Sequence, residues 1–136
     1  MKQVAKVVII ADDGKYLLMM RSDHPTFPND PDLPGGTIEA GEEPLQAMLR
    51  EVIEEAGIIL KPDEVVHKYT GSEYSAHQTV YHLYVARVKQ RPEVKISWEH
   101  ASYEWVSPAV FMKRTSQAKD TFMHMVSDVI GSITQK

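Results

Sequence analysis

Gly36-Thr37-Ile38-Glu39-Ala40-Gly41-Glu42-Glu43-Pro44-Leu45-Gln46-Ala47-Met48-Leu49-Arg50-Glu51-Val52-Ile53-Glu54-Glu55-Ala56-Gly57-Ile58 is the stretch on which the reading of this chain turns. Pro44 at a first helical position and Gly57 just past the end predict a helix over Pro44–Ala56. Leu45, Met48, Leu49, Val52 and Ala56 recur at the spacing of an apolar stripe, so that face packs on a core. The opposite face carries Arg50, Glu51, Glu54 and Glu55. Glu51 and Glu55 are like charges one turn apart, a pairing that costs a helix roughly 0.2–0.5 kcal/mol. All three acids also crowd toward the C-terminal end, where the helix dipole disfavours negative charge. A divalent cation would reverse both penalties. Hard cations such as Mg²⁺ take carboxylate oxygens together with substrate phosphates, so the helix points to phosphate chemistry. Three glutamates taken alone read more readily as a solvated acidic face than as a metal site; the surrounding glycines shift that reading.

With those glycines, the segment resembles the Nudix box: Gly, five residues, Glu, seven residues, Arg-Glu, an aliphatic residue, any residue, Glu-Glu, any residue, Gly and an aliphatic residue. Gly36, Glu42, Arg50, Glu51, Glu54, Glu55 and Gly57 fill its fixed positions, with Val52 and Ile58 at the aliphatic ones. Leu33-Pro34-Gly35-Gly36 is similar to the family's usual approach to the box.

The resemblance implies an α/β Nudix fold, a mixed β-sheet sandwiched between helices (α/β/α), over one hydrolase domain spanning residues 1–136, with the box at 36–58. It implies that Glu51, Glu54 and Glu55, with the Gly35 carbonyl, hold one or more Mg²⁺ ions, for which Mn²⁺ can substitute. In this reading glycine at position 35 lets backbone approach the ion closely. Arg50 orients the carboxylates rather than touching substrate, and Glu42 supports the junction between loop and helix. The ions bridge phosphate oxygens, and water attacks phosphorus to cleave a diphosphate linkage. Two residues are candidates for the general base. One is Glu54. The other is Glu99, in Trp98-Glu99-His100-Ala101-Ser102-Tyr103-Glu104-Trp105, which is similar to the acid-bearing distal loop of many relatives and adds Glu99 to the metal donors. His100 beside it reads as a surface histidine.

Length and composition agree with one such domain: 136 residues can bury a core. The absence of Cys excludes disulfides, thiolate nucleophiles and zinc–thiolate sites, and fits a cytoplasmic setting. A formal charge of −4 argues against a stable nucleic-acid partner bound through a basic face. Neither a signal peptide nor a membrane span is visible, because Val7–Ala11 is far short of the ~20 apolar residues that cross a bilayer.

Along the rest of the chain, Gln3–Ala11 and Tyr16–Arg21 flank the turn signal Asp12-Asp13-Gly14 and predict a hairpin. His24–Asp32, with Pro25, Pro28 and Pro31, predicts irregular structure. Glu64–Tyr74 and Thr79–Val88 read as two strands and Trp105–Val106 as a short one. Ser107-Pro108 is a cap and first residue for a helix, and Lys119–Ile133 is the closing helix.

The resemblance implies a small nucleotide-like diphosphate as substrate. Arg21, at a strand end, is a candidate phosphate contact, although a strand-terminal Arg is ordinarily exposed. Tyr74 resembles the position that dinucleoside-polyphosphate hydrolases use to stack a base, although tyrosine is common in strands. The proline that marks many ADP-ribose hydrolases is replaced by Ser72-Glu73. His24, His67, His77 and His82 form no metal-site spacing. The leading reading is hydrolysis of a nucleoside triphosphate or another nucleoside diphosphate derivative. Dinucleoside polyphosphates, nucleotide sugars and ADP-ribose are alternatives, as is a catalytically silent nucleotide-binding module. An isoprenoid-diphosphate isomerase is set aside for want of its cysteine. Oligomeric state stays open, with a homodimer admissible.

Overall fold

A computed structural model describes residues 1–22, 29–75 and 78–134, with residues 133 and 134 described by backbone alone. Its centre is β1 (Gln3–Ala11), whose apolar residues serve both faces of a sheet: Ala5, Val7 and Ile9 enter one buried cluster, and Val8 and Ile10 the other. β2 (Tyr16–Arg21) follows through the Asp12–Gly14 turn, as the hairpin reading expects. The strand β6 (Val80–Val88) lies parallel to β1 along its whole length, and β5 (Val65–Gly71) pairs antiparallel outside β6. A register shift between His67 and Tyr69 makes a bulge in β5 at Lys68. On the far side, β7 (His100–Val106) pairs antiparallel with β2.

Two further strands escape the sequence reading. β3 (Pro31–Asp32) pairs with Met19 and Met20 of β2, and β4 (Gly35–Thr37) pairs with Val4–Lys6 of β1. Since β6 occupies one edge of β1 and β7 one edge of β2, both short strands sit on the remaining edges, where β1 and β2 diverge beyond Ile10↔Tyr16. The chain from Pro31 to Thr37 therefore wedges the sheet open at one end. Irregular structure was expected through Asp32, and the correction is physical: Pro31 can start a two-residue strand because β3 donates no long ladder. His24, Pro25, Pro28 and His77 lie outside the described residues. β7 is also longer than the Trp105–Val106 strand expected.

Helix α1 (Pro44–Ala56) has the expected bounds. Gln46 accepts the Glu43 backbone N–H at 3.0 Å at its start, and Gly57 closes it in the left-handed region with φ 68°. Met48, Val52 and Ala56 bury against Val7, Ile9 and Leu17 on one face of the sheet. Helices α2 (Pro108–Ser116) and α3 (Thr121–Thr134) cover the other face, with Phe111, Phe122, Met125 and Ile130 packed on Val8, Leu18 and Val85. The result is a mixed sheet between helices, an α/β/α arrangement.

Candidate active site

At the wedged end of the sheet, the structure gathers the acids of α1. Arg50 is their hub. Its Nε and Nη2 grip both oxygens of Glu42 at 2.7 and 2.9 Å, while Nη1 donates to Glu51 at 2.8 Å and to Glu54 at 3.2 Å. Such a fork suits guanidinium and not ammonium. The hydrogen bonds from Arg50 hold the Glu42 carboxyl down at about 2. Glu42 also accepts the Glu39 N–H at 2.9 Å, tying the loop to the helix.

Glu55 faces the other way. It is buried and accepts the Gly35 N–H at 2.9 Å. Burial pushes its carboxyl up to about 8, against the opposing pull of Lys6 and the Gly35 N–H, and the Glu99 carboxyl standing against it adds to the rise. Glu99 reaches this place because the segment before it is laced to the end of α1: the Lys95 N–H donates to Ala56 O at 2.8 Å and the Ser97 N–H to Glu55 O at 3.1 Å.

The glycines are explained sterically. At Gly36 a Cβ would stand 2.6 Å from a Glu51 carboxylate oxygen. At Gly35, with φ 136°, it would stand 2.3 Å from Ala5 O and 2.5 Å from Lys6 Cα. Position 35 is thus required to be glycine by the neighbouring strand β1, a reason independent of any ion.

Behind these acids lies a buried ionic network that the sequence reading missed. Lys6 Nζ contacts Asp32 at 2.6 Å, and Arg21 bridges Asp32 at 3.4 Å and Asp120 at 2.7 Å. His100 Nε2 meets Asp32 at 3.0 Å. A lysine in the middle of the apolar run Val4–Ile10 was the available signal, since an unpaired charge is not tolerated there. Arg21 is buried within this network rather than exposed at a strand end, and His100 is buried rather than a surface histidine. Tyr74 is not brought to the box acids. It packs with the α3-side cluster, donates its hydroxyl to Asp128 at 2.6 Å and meets Tyr69 edge to face.

The donors around Glu51, Glu54, Glu55 and Glu99 are all oxygens and fit a hard divalent cation, which would also relieve the crowding of Glu55 and Glu99. Among the described residues, no three acidic or histidine side chains already form a cage for an ion. Arg50 engages one oxygen of Glu51 and both of Glu54, so Glu54 must turn from the guanidinium to hold an ion, while the second oxygen of Glu51 lies beside Gly36.

Without divalent cations, Glu55 sets a pH dependence. Its folded value of about 8 exceeds the ordinary 4.5, so between those values the folded state holds a proton that the unfolded state has released. Stability therefore falls as pH rises through that window. Thermal melts in EDTA should show wild-type Tm declining from about pH 5 to pH 8 more steeply than Glu55→Gln; parallel profiles would show that Glu55 is ionised throughout.

Comparison with known proteins gives the setting of this site. Residues 1–125 match the sequence profile of the NUDIX domain. A nucleoside triphosphatase, NudI, of Escherichia coli O139:H28 is 35% identical over 111 residues, covering 74% of this chain and 78% of that protein. A Bacillus subtilis (strain 168) protein provisionally named 8-oxo-dGTP diphosphatase is 29% identical over 106 residues; the match covers 78% of this chain and 66% of that protein's length. The crystal structure of a MutT protein from Methanosarcina mazei Go1 superposes with a TM-score of 0.68 at 22% identity, covering 93% of this chain and 92% of that one. Among the described residues no helix is long and apolar enough to cross a membrane.

Proposed function

The chain belongs to the NUDIX domain family and is a hydrolase of pyrophosphate bonds, and on that premise we propose that residues 1–136 act as one domain cleaving a nucleoside triphosphate or related nucleoside diphosphate derivative with Mg²⁺, or Mn²⁺ in its place. One observation carries this reading: a single guanidinium organises Glu42, Glu51 and Glu54 while the buried Glu55 meets Glu99 beside them. The 35% identity to a nucleoside triphosphatase favours nucleotides as the substrate class.

Glu51, Glu54, Glu55, Glu99 and the Gly35 carbonyl would hold the ion. When bound, it neutralises charge growing on the phosphates and makes hydroxide available near neutral pH. The remaining work falls to the chain's own groups. Glu54, with its side chain 56% exposed, and Glu99, also exposed, are the two acids open to a water that must lose its proton. That water attacks phosphorus, the anhydride P–O bond breaks, and the leaving phosphate oxygen takes the electron pair. Arg50 keeps Glu54 aimed between turnovers.

The test is mass-spectrometric product analysis with Mg²⁺ over nucleoside triphosphates, dinucleoside polyphosphates, nucleotide sugars and ADP-ribose. The expected result is cleavage of a nucleoside triphosphate, lost in EDTA and reduced roughly 100-fold or more in Glu54→Gln if that residue is the base. Retention of activity in Glu54→Gln with loss in Glu99→Gln would assign the base to Glu99. No turnover of any compound, with binding intact, would replace the hydrolase reading by a silent nucleotide-binding module.

A further inference from the structure

Trp98 is 82% exposed, although tryptophan carries more apolar surface than any other side chain and is highly buried on average. Its backbone is nevertheless fixed. Ser22 Oγ donates to Trp98 O at 2.8 Å, the Ser22 N–H donates to Glu99 O at 3.1 Å, and the preceding Ser97 is bonded to Glu55 O. Val94 and Ile96 anchor the same segment in the core under α1. A pinned backbone thus presents a free indole one residue, about 3.8 Å between Cα atoms, from the acid that stands against Glu55. Among the described residues no other ring and no cation packs on it. The second tryptophan, Trp105, is by contrast half-buried with the Arg91 guanidinium 5.9 Å from its ring. Tyr74, the aromatic residue singled out by the sequence, is occupied by Tyr69 and Asp128 on the other side of the sheet.

We propose that Trp98 is the stacking platform for the nucleobase of the substrate and a specificity residue of this site, favouring nucleotides over base-free phosphate anhydrides. This rests on the reading of the carboxylate cluster as the phosphate-binding site. Stacking uses the π-face that every base possesses, so the platform is tolerant of base identity. It selects for an aromatic base and leaves discrimination among bases to other contacts.

The test uses the full chain and measures binding, so it does not depend on turnover. In a Trp105→Phe background Trp98 is the only remaining tryptophan of the two. With Mg²⁺ present, non-hydrolysable analogues of ATP, GTP and CTP should each quench its emission, and inorganic tripolyphosphate should not. By calorimetry, the affinity ratio of analogue to tripolyphosphate should fall about 5- to 100-fold in Trp98→Ala and largely recover in Trp98→Phe. A ratio within twofold of wild type, analogue binding without quenching, or no binding of either compound overturns the proposal. So does an unchanged ratio accompanied by conversion of a dimer to a monomer in Trp98→Ala, which would make the indole an interface residue. Failure of the hydrolase reading looks different: quenching and the ratio change persist while wild type releases no product.

Discussion

Arg50→Ala should lower kcat/KM by about 10- to 100-fold on whichever substrate the wild type turns over, the cost usual for removing a partner that orients metal ligands. The reason is geometric. One side chain serves both oxygens of Glu42, one of Glu51 and both of Glu54, and its removal leaves three carboxylates to repel one another. The Mg²⁺ concentration for half-maximal rate should rise in parallel. Arg50→Lys should recover only part of the loss, because an ammonium cannot reproduce the two-pronged contact with Glu42. Thermal stability should change little by comparison, since these pairs are partly exposed and each contributes no more than ~1 kcal/mol. Activity within twofold of wild type would show that the acids are positioned without the guanidinium.

The largest stability effect is expected at Asp32. Its carboxylate is buried among Lys6, Arg21 and His100, and removing it in Asp32→Ala strands Lys6 and weakens the hold on Arg21. Breaking one member of a buried ion network typically costs about 3–5 kcal/mol, measurable by urea denaturation. Burial pushes this carboxyl upward, but Lys6, the His100 hydrogen bond and Arg21 outweigh it and hold Asp32 well below the usual carboxylate range. A depressed folded value contributes stability that is present above the unfolded value near 3.9 and lost as pH falls toward the folded one. Wild type should therefore lose stability below about pH 4 more steeply than the double variant Lys6→Met/Asp32→Leu. That pair should also recover much of the single variant's loss, because apolar replacement of both partners removes the desolvation penalty together with the attraction. A loss below ~1 kcal/mol in Asp32→Ala would mean that water or Asp120 compensates.

What the sequence discloses and what it hides follow one physical line. Helix α1 and strands β1 and β2 could be bounded to the residue, because each carries its own period and its own stop signal: Pro44 and Gly57 for the helix, Asp12-Asp13-Gly14 for the hairpin. Strands β3 and β4 have no period to read at two and three residues long; they exist because β1 and β2 part and leave ladder edges open. The first part of β7 escaped for a related reason, as Ala101, Ser102, Tyr103 and Glu104 are all exposed and show no alternation. At the site, spacing placed the α1 acids and Arg50 together because i, i+1 and i+4 neighbours on a helix are local. The reach of Lys6 to Asp32, 26 residues away, and of Arg21 to Asp120, 99 residues away, is a property of the closed fold. The same holds for Trp98, whose exposure is a statement about what does not pack on it.

The bulge at Lys68 has a consequence for how copies of this protein meet. Among the described residues β5 ends the sheet's pairing order, so its outer edge has no strand partner there, with Val66 53% exposed beside it. A flat edge of that kind recruits strands from other chains and seeds aggregation. Here the extra residue breaks the regular run of donors and acceptors midway, and it is a lysine, the charge most often used to keep such edges from joining. One misregistered, positively charged residue at this margin thus disfavours continuing the sheet from one molecule into the next.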